Sequence, residues 1–151
     1  VYKSTGEVFC SGLDLIDFKE NESKIQLADI FNKLYKPKLV VLEGDVYAGG
    51  ILIVACANYV ISKNNIKLSL PEVKRGLFPY QVMDSLFRTM PKRTVIDWCI
   101  RGKEMNAIEC QKLNLIQETD SKDLDIKANN WLADSVKMCQ TEIKRGRKTY
   151  E

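Results

Sequence analysis

The strongest hydrophobic pattern in the chain is Leu39-Val40-Val41-Leu42, four apolar residues in a row, which predicts a strand covered on both faces. A second apolar run, Ile51 to Ala57, has no polar face and predicts a helix buried on all sides. Between the two runs stand the adjacent glycines Gly49 and Gly50. Further along, Asn58 to Lys63 reads as a strand. So does Ile66 to Leu70, where Ile66, Leu68 and Leu70 alternate with Lys67 and Ser69 until Pro71 ends the run. Helical spacing marks five other segments. Ile25, Leu27, Ala28, Ile30, Phe31 and Leu34 form a stripe that stops before Pro37. Pro79 opens a helix carrying Val82, Met83, Leu86 and Phe87 up to Pro91. Lys92 to Arg101 and Asn106 to Leu113 are two more, and Asn114 suits a left-handed helix end. Leu115-Ile116 reads as a short strand. A last helix, capped by Asp120 or Ser121, steps through Leu124, Ala128, Trp131, Ser135 and Met138, with Leu132 and Cys139 beside them. The polar stretch Lys19 to Ser23 has the composition of a mobile loop, and Val1 to Lys3 could be the tail of a strand.

A strand, a glycine turn and a buried helix converge free N–H groups and a helix dipole on one point. Such a point suits an oxygen that gains negative charge in a reaction. The competing reading is a turn that needs glycine only for close packing. Both stand on the stretch taken alone. Glu72, just after Pro71, has a similar double reading: a turn residue, or a carboxylate whose burial raises its pKa for proton transfer.

Composition narrows the chemistry. The chain has 151 residues, enough for one domain with a real core, and its 45% hydrophobic and 28% charged content is that of a soluble globular protein. No apolar run is long enough to span a membrane, and a net charge of +3 is too small to argue for nucleic acid. There are no histidines, which excludes Ser–His and Cys–His pairs, imidazole zinc sites and histidine proton shuttles within this chain. Acid/base work falls to carboxylates, lysine or tyrosine. Five cysteines, odd in number and without a CxxC pair, fit buried reduced thiols in a cytoplasmic protein. Trp131 reads as core, with coenzyme A stacking as the alternative. Lys144 to Lys148 reads as a solvated tail, with phosphate contact as the alternative.

Four segments, in order, carry a family resemblance: Phe9-Cys10-Ser11-Gly12-Leu13-Asp14-Leu15, the glycine turn with its flanks, Leu68 to Pro79, and Arg101 to Ile116. Together they resemble the crotonase (enoyl-CoA hydratase/isomerase) superfamily over roughly residues 5–140. The Val46 to Gly50 and Leu68 to Glu72 stretches, with Gly76 to Pro79, also look like the dehydratases of polyketide β-branching. The resemblance implies an α/β fold, a crotonase-like spiral of ββα turns. Its core would span 1–120, followed by a helical region over 121–151. The family pattern begins earlier than Val1, so the amino-terminal part is expected to be missing from this chain.

The resemblance also implies a site. Backbone N–H groups of Leu13 and Gly49 would form the oxyanion hole for a thioester oxygen, and Glu72 would be the acid/base. Gly12, Asp14, Gly50, Leu52 and Phe78 would line the substrate. Leu52 stands where hydratases carry a first catalytic glutamate, and Asn58 where the family usually has aspartate. A mechanism that places water between two carboxylates is therefore closed to this chain. One glutamate still permits double-bond isomerisation, or dehydration if another group protonates the departing hydroxide. The implied partners are a coenzyme A or acyl-carrier-protein thioester and a homotrimer or hexamer, with no metal, no separate cofactor, no nucleic acid and no membrane. The alternative is a non-catalytic member of the fold that binds acyl-CoA or a protein.

Overall fold

The computed structural model describes residues 1–12 and 26–137. Among these, strands β1 (Tyr2–Lys3), β2 (Val8–Cys10), β3 (Leu39–Leu42), β4 (Asp45–Tyr47), β5 (Tyr59–Lys63), β6 (Lys67–Ser69), β7 (Met105–Asn106) and β8 (Glu118–Asp120) alternate between two sheets. The sheet orders are β1-β3-β5-β8 and β2-β4-β6-β7. Each pass of the chain gives one strand to each sheet and then a helix, so successive passes pair in parallel: β1 with β3, β3 with β5, β2 with β4, β4 with β6. This is the expected spiral of ββα turns. The last pass departs from it: β7 closes the second sheet antiparallel to β6, α5 follows, and only then does β8 join the first sheet parallel to β5.

The helices are α1 (Leu27–Lys33), α2 (Gly50–Ala55), α3 (Tyr80–Leu86), α4 (Lys92–Arg101), α5 (Ala107–Lys112) and α6 (Leu124–Lys137). The unbroken apolar run of β3 now has its reason. Val40 and Leu42 belong to the main core with α2, α3 and α4, while Leu39 and Val41 join Ile61, Leu124 and Ala128 beneath α6. Trp131 stacks on Tyr59 within that second cluster, 5.5 Å between centroids, as the core reading required. Helix α2 is buried along nearly all its length. The buried Lys38 donates through Nζ to the carbonyls of Phe31 and Leu34, satisfying the last turn of α1. Asn58 accepts the Lys38 N–H through Oδ1 at 2.8 Å and so fixes where β3 begins.

Several expectations are corrected. Leu115-Ile116 is not a strand: the chain turns at Asn114, φ 66°, and pairing with β5 starts at Glu118. Both residues are instead buried in the main core. Asp120 does not cap the last helix; it ends β8 and accepts the Lys122 N–H, and α6 starts at Leu124. Phe9 and Cys10, at the start of the first resemblance segment, belong to β2. On α1 only Phe31 is fully buried, and Leu27, Ile30 and Leu34 face outward. Ile25, Met138, Cys139 and the basic run Lys144 to Lys148 lie outside the described residues.

The described cysteines, Cys10, Cys56, Cys99 and Cys110, are all free thiols. Burial pushes the Cys99 thiol up to about 11 and the Cys110 thiol up to about 12. Thiol titration under native conditions is therefore expected to leave Cys99 and Cys110 unmodified, because neither forms thiolate at neutral pH. The partly exposed Cys10 should react first. Fast modification of Cys110 in folded protein would contradict the packing described.

Candidate active site

Three adjacent parallel strands set the site. The register pairs Cys10 of β2 with Val46 of β4, and Val46 in turn with Leu68 of β6. All three therefore release the chain at the same end: β2 into Gly12, β4 into Ala48-Gly49-Gly50, and β6 into Leu70-Pro71-Glu72. The region beyond the carboxyl ends of parallel strands is where open α/β sheets place their ligands.

The segments touch closely. Gly12 has φ 95°, and a methyl group built on it would lie 2.7 Å from Ala48 Cβ and 3.7 Å from Gly49 N. One on Gly50 would lie 2.7 Å from Cys10 Cβ and 3.1 Å from its Sγ. Glycine is needed at both positions for close approach, so the packing reading of the glycine turn is correct as far as it goes. The oxyanion reading is compatible with it. Ala48 N–H is already engaged, donating to Ser69 O at 3.0 Å, and this bond holds the β4 exit against the β6 exit. Gly49 N–H, in contrast, donates to no described residue at the first turn of α2. Ile51 and Leu52 N–H groups are taken up by Ala48 O and Gly49 O.

Glu72 lies in a 3₁₀ turn, Pro71–Arg75, closed by Gly76 N–H to Val73 O and Leu77 N–H to Glu72 O. Its carboxyl is half-buried, and Oε2 is enclosed without a hydrogen-bond partner among the described residues. Burial raises the Glu72 pKa above the ordinary carboxylate value, opposed only by a bond to its own backbone. The same carboxylate pushes the neighbouring Cys99 thiol further up.

The remaining sequence-derived positions divide. Gly12, Gly49, Gly50 and Glu72 come to one end of one sheet. Leu52 is 2% exposed and belongs to the main core, so no carboxylate occupies its place. Phe78 is at the surface, its ring tilted on Tyr80 at 4.7 Å between centroids. Leu13 and Asp14 lie outside the described residues. Sequence reasoning missed Ala48, whose φ of 50° turns the chain into α2. An alanine in the left-handed region leaves no trace in a sequence. No group of three or more histidine, cysteine or acidic residues is placed to hold a metal among the described residues.

The family model for enoyl-CoA hydratase/isomerase matches residues 1–149. The chain belongs to the enoyl-CoA hydratase/isomerase family. Among curated relatives, it is 26% identical over 137 residues to the fatty acid oxidation complex subunit alpha of Pseudomonas putida strain GB-1, covering 82% of this chain and 19% of that protein. Solved relatives include a Bacillus subtilis protein titled as a polyketide biosynthesis enoyl-CoA hydratase, TM-score 0.86 and 22% identity, covering 99% of this chain and 63% of that one. An enoyl-CoA hydratase of Shewanella pealeana gives TM-score 0.82 and 20% identity, covering 93% and 57%. At those identities the structures establish the fold. The chain thus spans about a fifth of the length of the first and about three fifths of the enoyl-CoA hydratase folds. No helix among the described residues is long and apolar enough to cross a membrane.

Proposed function

We propose that this chain belongs to an enzyme that processes acyl thioesters by stabilising an enolate. Gly49 N–H, joined by the N–H of Leu13, holds the thioester oxygen, and Glu72 moves the proton on the adjacent carbon. The observation that supports this reading most is that the adjacent parallel strands β4 and β6 deliver to the same end of their sheet a Gly49 N–H and a half-buried Glu72 carboxyl oxygen that both lack a partner among the described residues. A hydrogen-bond donor to a developing oxyanion is typically worth ~3–4 kcal/mol of barrier. A positioned acid/base contributes roughly 10²–10⁴-fold. With Leu52 apolar, the reaction uses one carboxylate: isomerisation of a double bond, or hydration and dehydration in which another group handles the hydroxide. Gly12, Gly50, Asp14, Leu52 and Phe78 shape the acyl site in this reading.

The substrate arm is coenzyme A or the phosphopantetheine of a carrier protein, and no separate cofactor takes part. Relatives named for fatty acid oxidation and for polyketide biosynthesis fit either arm. The assembly proposed is a cytoplasmic trimer or dimer of trimers, because α6 leaves Ile126 and Val136 exposed, at 60% and 72%. Sedimentation of the whole protein is expected to give a trimer or hexamer, and a monomer would contradict this part. The buried Leu52 favours a second reading, a non-catalytic thioester binder. Turnover of crotonyl-CoA and 3-hydroxybutyryl-CoA, with and without Glu72, separates the two. Loss of turnover without Glu72 supports the enzyme, and absence of turnover in the wild type supports the binder.

A further inference from the structure

The turn that carries Glu72 is backed by the end of α4. Helix α4 stops at Gly102, whose φ is 57° and whose N–H donates to Trp98 O at 2.8 Å. Trp98 is wholly buried, and its Nε1 donates to Lys103 O at 2.7 Å, so both sides of the helix end are tied down. A methyl group built on Gly102 would lie 3.0 Å from Leu70 O, 3.0 Å from Val73 Cβ and 3.4 Å from Val73 Cγ1. Leu70 and Val73 flank Glu72 in the chain, and Val73 N–H donates to Leu70 O at 3.3 Å. One turn back on α4, the buried Cys99 thiol feels the Glu72 charge, so this face of α4 looks onto the glutamate.

We infer that Gly102 is a positioning residue: the end of α4, pinned by Trp98, presses on Leu70 and Val73 and thereby fixes the depth at which the Glu72 carboxyl sits. This deepens the acid/base reading of Glu72 and rests on it. Any side chain at 102 must push the turn outward by a few tenths of an ångström. That shift lets water reach Oε2, weakens the desolvation that holds the Glu72 pKa up, and misaligns the proton transfer. A residue that only stabilised the fold would change neither the pH profile nor the rate per folded molecule.

The test compares Gly102→Ala, Val73→Ala, Asn114→Ala and Glu72→Gln in the whole protein with crotonyl-CoA. Asn114→Ala is the control, since it imposes left-handed strain at the end of a different helix, α5, φ 66°. In Gly102→Ala, kcat is expected to fall roughly 3–10-fold with KM within about 2-fold, on the scale that sub-ångström misplacement costs a reacting group. The acid limb of the kcat/KM profile should move to lower pH. Val73→Ala keeps the Cβ that faces Gly102 but trims the methyl groups beyond it, loosening the packing of the Glu72 turn without straining residue 102, so it decides the matter if Gly102→Ala does not fold. It should move the limb in the same direction. Asn114→Ala should lower the melting temperature and keep the wild-type profile. If Glu72→Gln loses turnover while Gly102→Ala and Val73→Ala both keep the wild-type limb and kcat, the inference alone is overturned. The same result follows if Asn114→Ala shifts the limb as they do. Wild-type turnover by Glu72→Gln overturns the acid/base reading and this inference with it.

Discussion

Replacing Glu72 by glutamine is expected to lower thioester turnover by roughly 10²-fold or more. Thioester binding should survive, because the amide keeps the shape of the side chain and loses only the proton transfer. The melting behaviour should change in a direction that a turn residue would not show. Burial raises the Glu72 pKa in the folded state above its ordinary value. The protonated carboxyl is therefore favoured by folding, and that contribution is fully present below the unfolded pKa. It is lost as pH rises through the folded pKa, leaving an ionised, poorly solvated group. A neutral amide escapes this penalty. Glu72→Gln is thus expected to melt higher than wild type at neutral and alkaline pH, with the difference closing as pH falls toward the ordinary carboxylate range. Higher stability with lost turnover is the signature of a group held for chemistry at the expense of the fold. Equal turnover together with a lower melting temperature would make Glu72 a structural turn residue.

The second large effect concerns Leu52. This side chain is 2% exposed on α2, among core residues that include Ile51, Val54 and Leu68. Leu52→Glu would put a carboxylate where the family's two-glutamate members carry one. The described residues that make up its cluster are all apolar. The expected loss is at least ~3 kcal/mol, the scale of a buried charge left without a partner. For a chain of this length that corresponds to a fall of about 6–12 °C in melting temperature. The loss should be largest at high pH, where the new carboxyl is ionised, and smaller in acid. In the proposed site the variant should also hydrate crotonyl-CoA faster than the wild type, as the second carboxylate can then position water. Thermal melts across pH and a hydration assay check both parts. A Leu52→Glu protein that melts like wild type would show that this position borders solvent or a wet cavity rather than the core.

The elements legible in the sequence were those whose burial is written in one continuous pattern. β3 and α2 stand out because both faces of each are covered, so no polar residue interrupts them. The shorter strands were not legible. β4 is Asp45-Val46-Tyr47, one buried valine between two half-buried polar residues, and three residues give no period-2 signal. Leu115 and Ile116 misled for the opposite reason. They are buried and apolar, yet the left-handed turn at Asn114 points them into the core, and the polar Glu118-Thr119-Asp120 makes the ladder at the sheet edge. The polar strand is held partly by side chains, with Tyr59 donating to Glu118 at 2.6 Å and Lys127 at 2.9 Å. On α1 the apolar stripe overstated burial, since periodicity shows which residues share a face and not whether anything covers it.

The site divides along the same line. The gathering of Gly12, Gly49, Gly50 and Glu72 at one end of one sheet was legible through a family spacing, because each follows a strand of that sheet. The contacts that hold these segments together were not. Ala48 in a left-handed conformation, its bond to Ser69 O, and the approach of Gly102 to Leu70 and Val73 each depend on a second segment distant in sequence. Leu13 and Asp14 keep only their sequence-derived roles.

The central claim is that the exits of β2, β4 and β6 stabilise a thioester enolate while Glu72 moves its proton. Exchange of the α-protons of butyryl-CoA with deuterated solvent, followed by NMR, tests it most directly. A saturated thioester can neither be hydrated nor isomerised, so the measurement reads enolate formation whatever the full reaction is. The wild-type protein is expected to catalyse exchange, with an acid limb above the ordinary carboxylate pKa, and Glu72→Gln to lose it. Exchange at the same rate in both proteins, or none in the wild type above the uncatalysed rate, would contradict it.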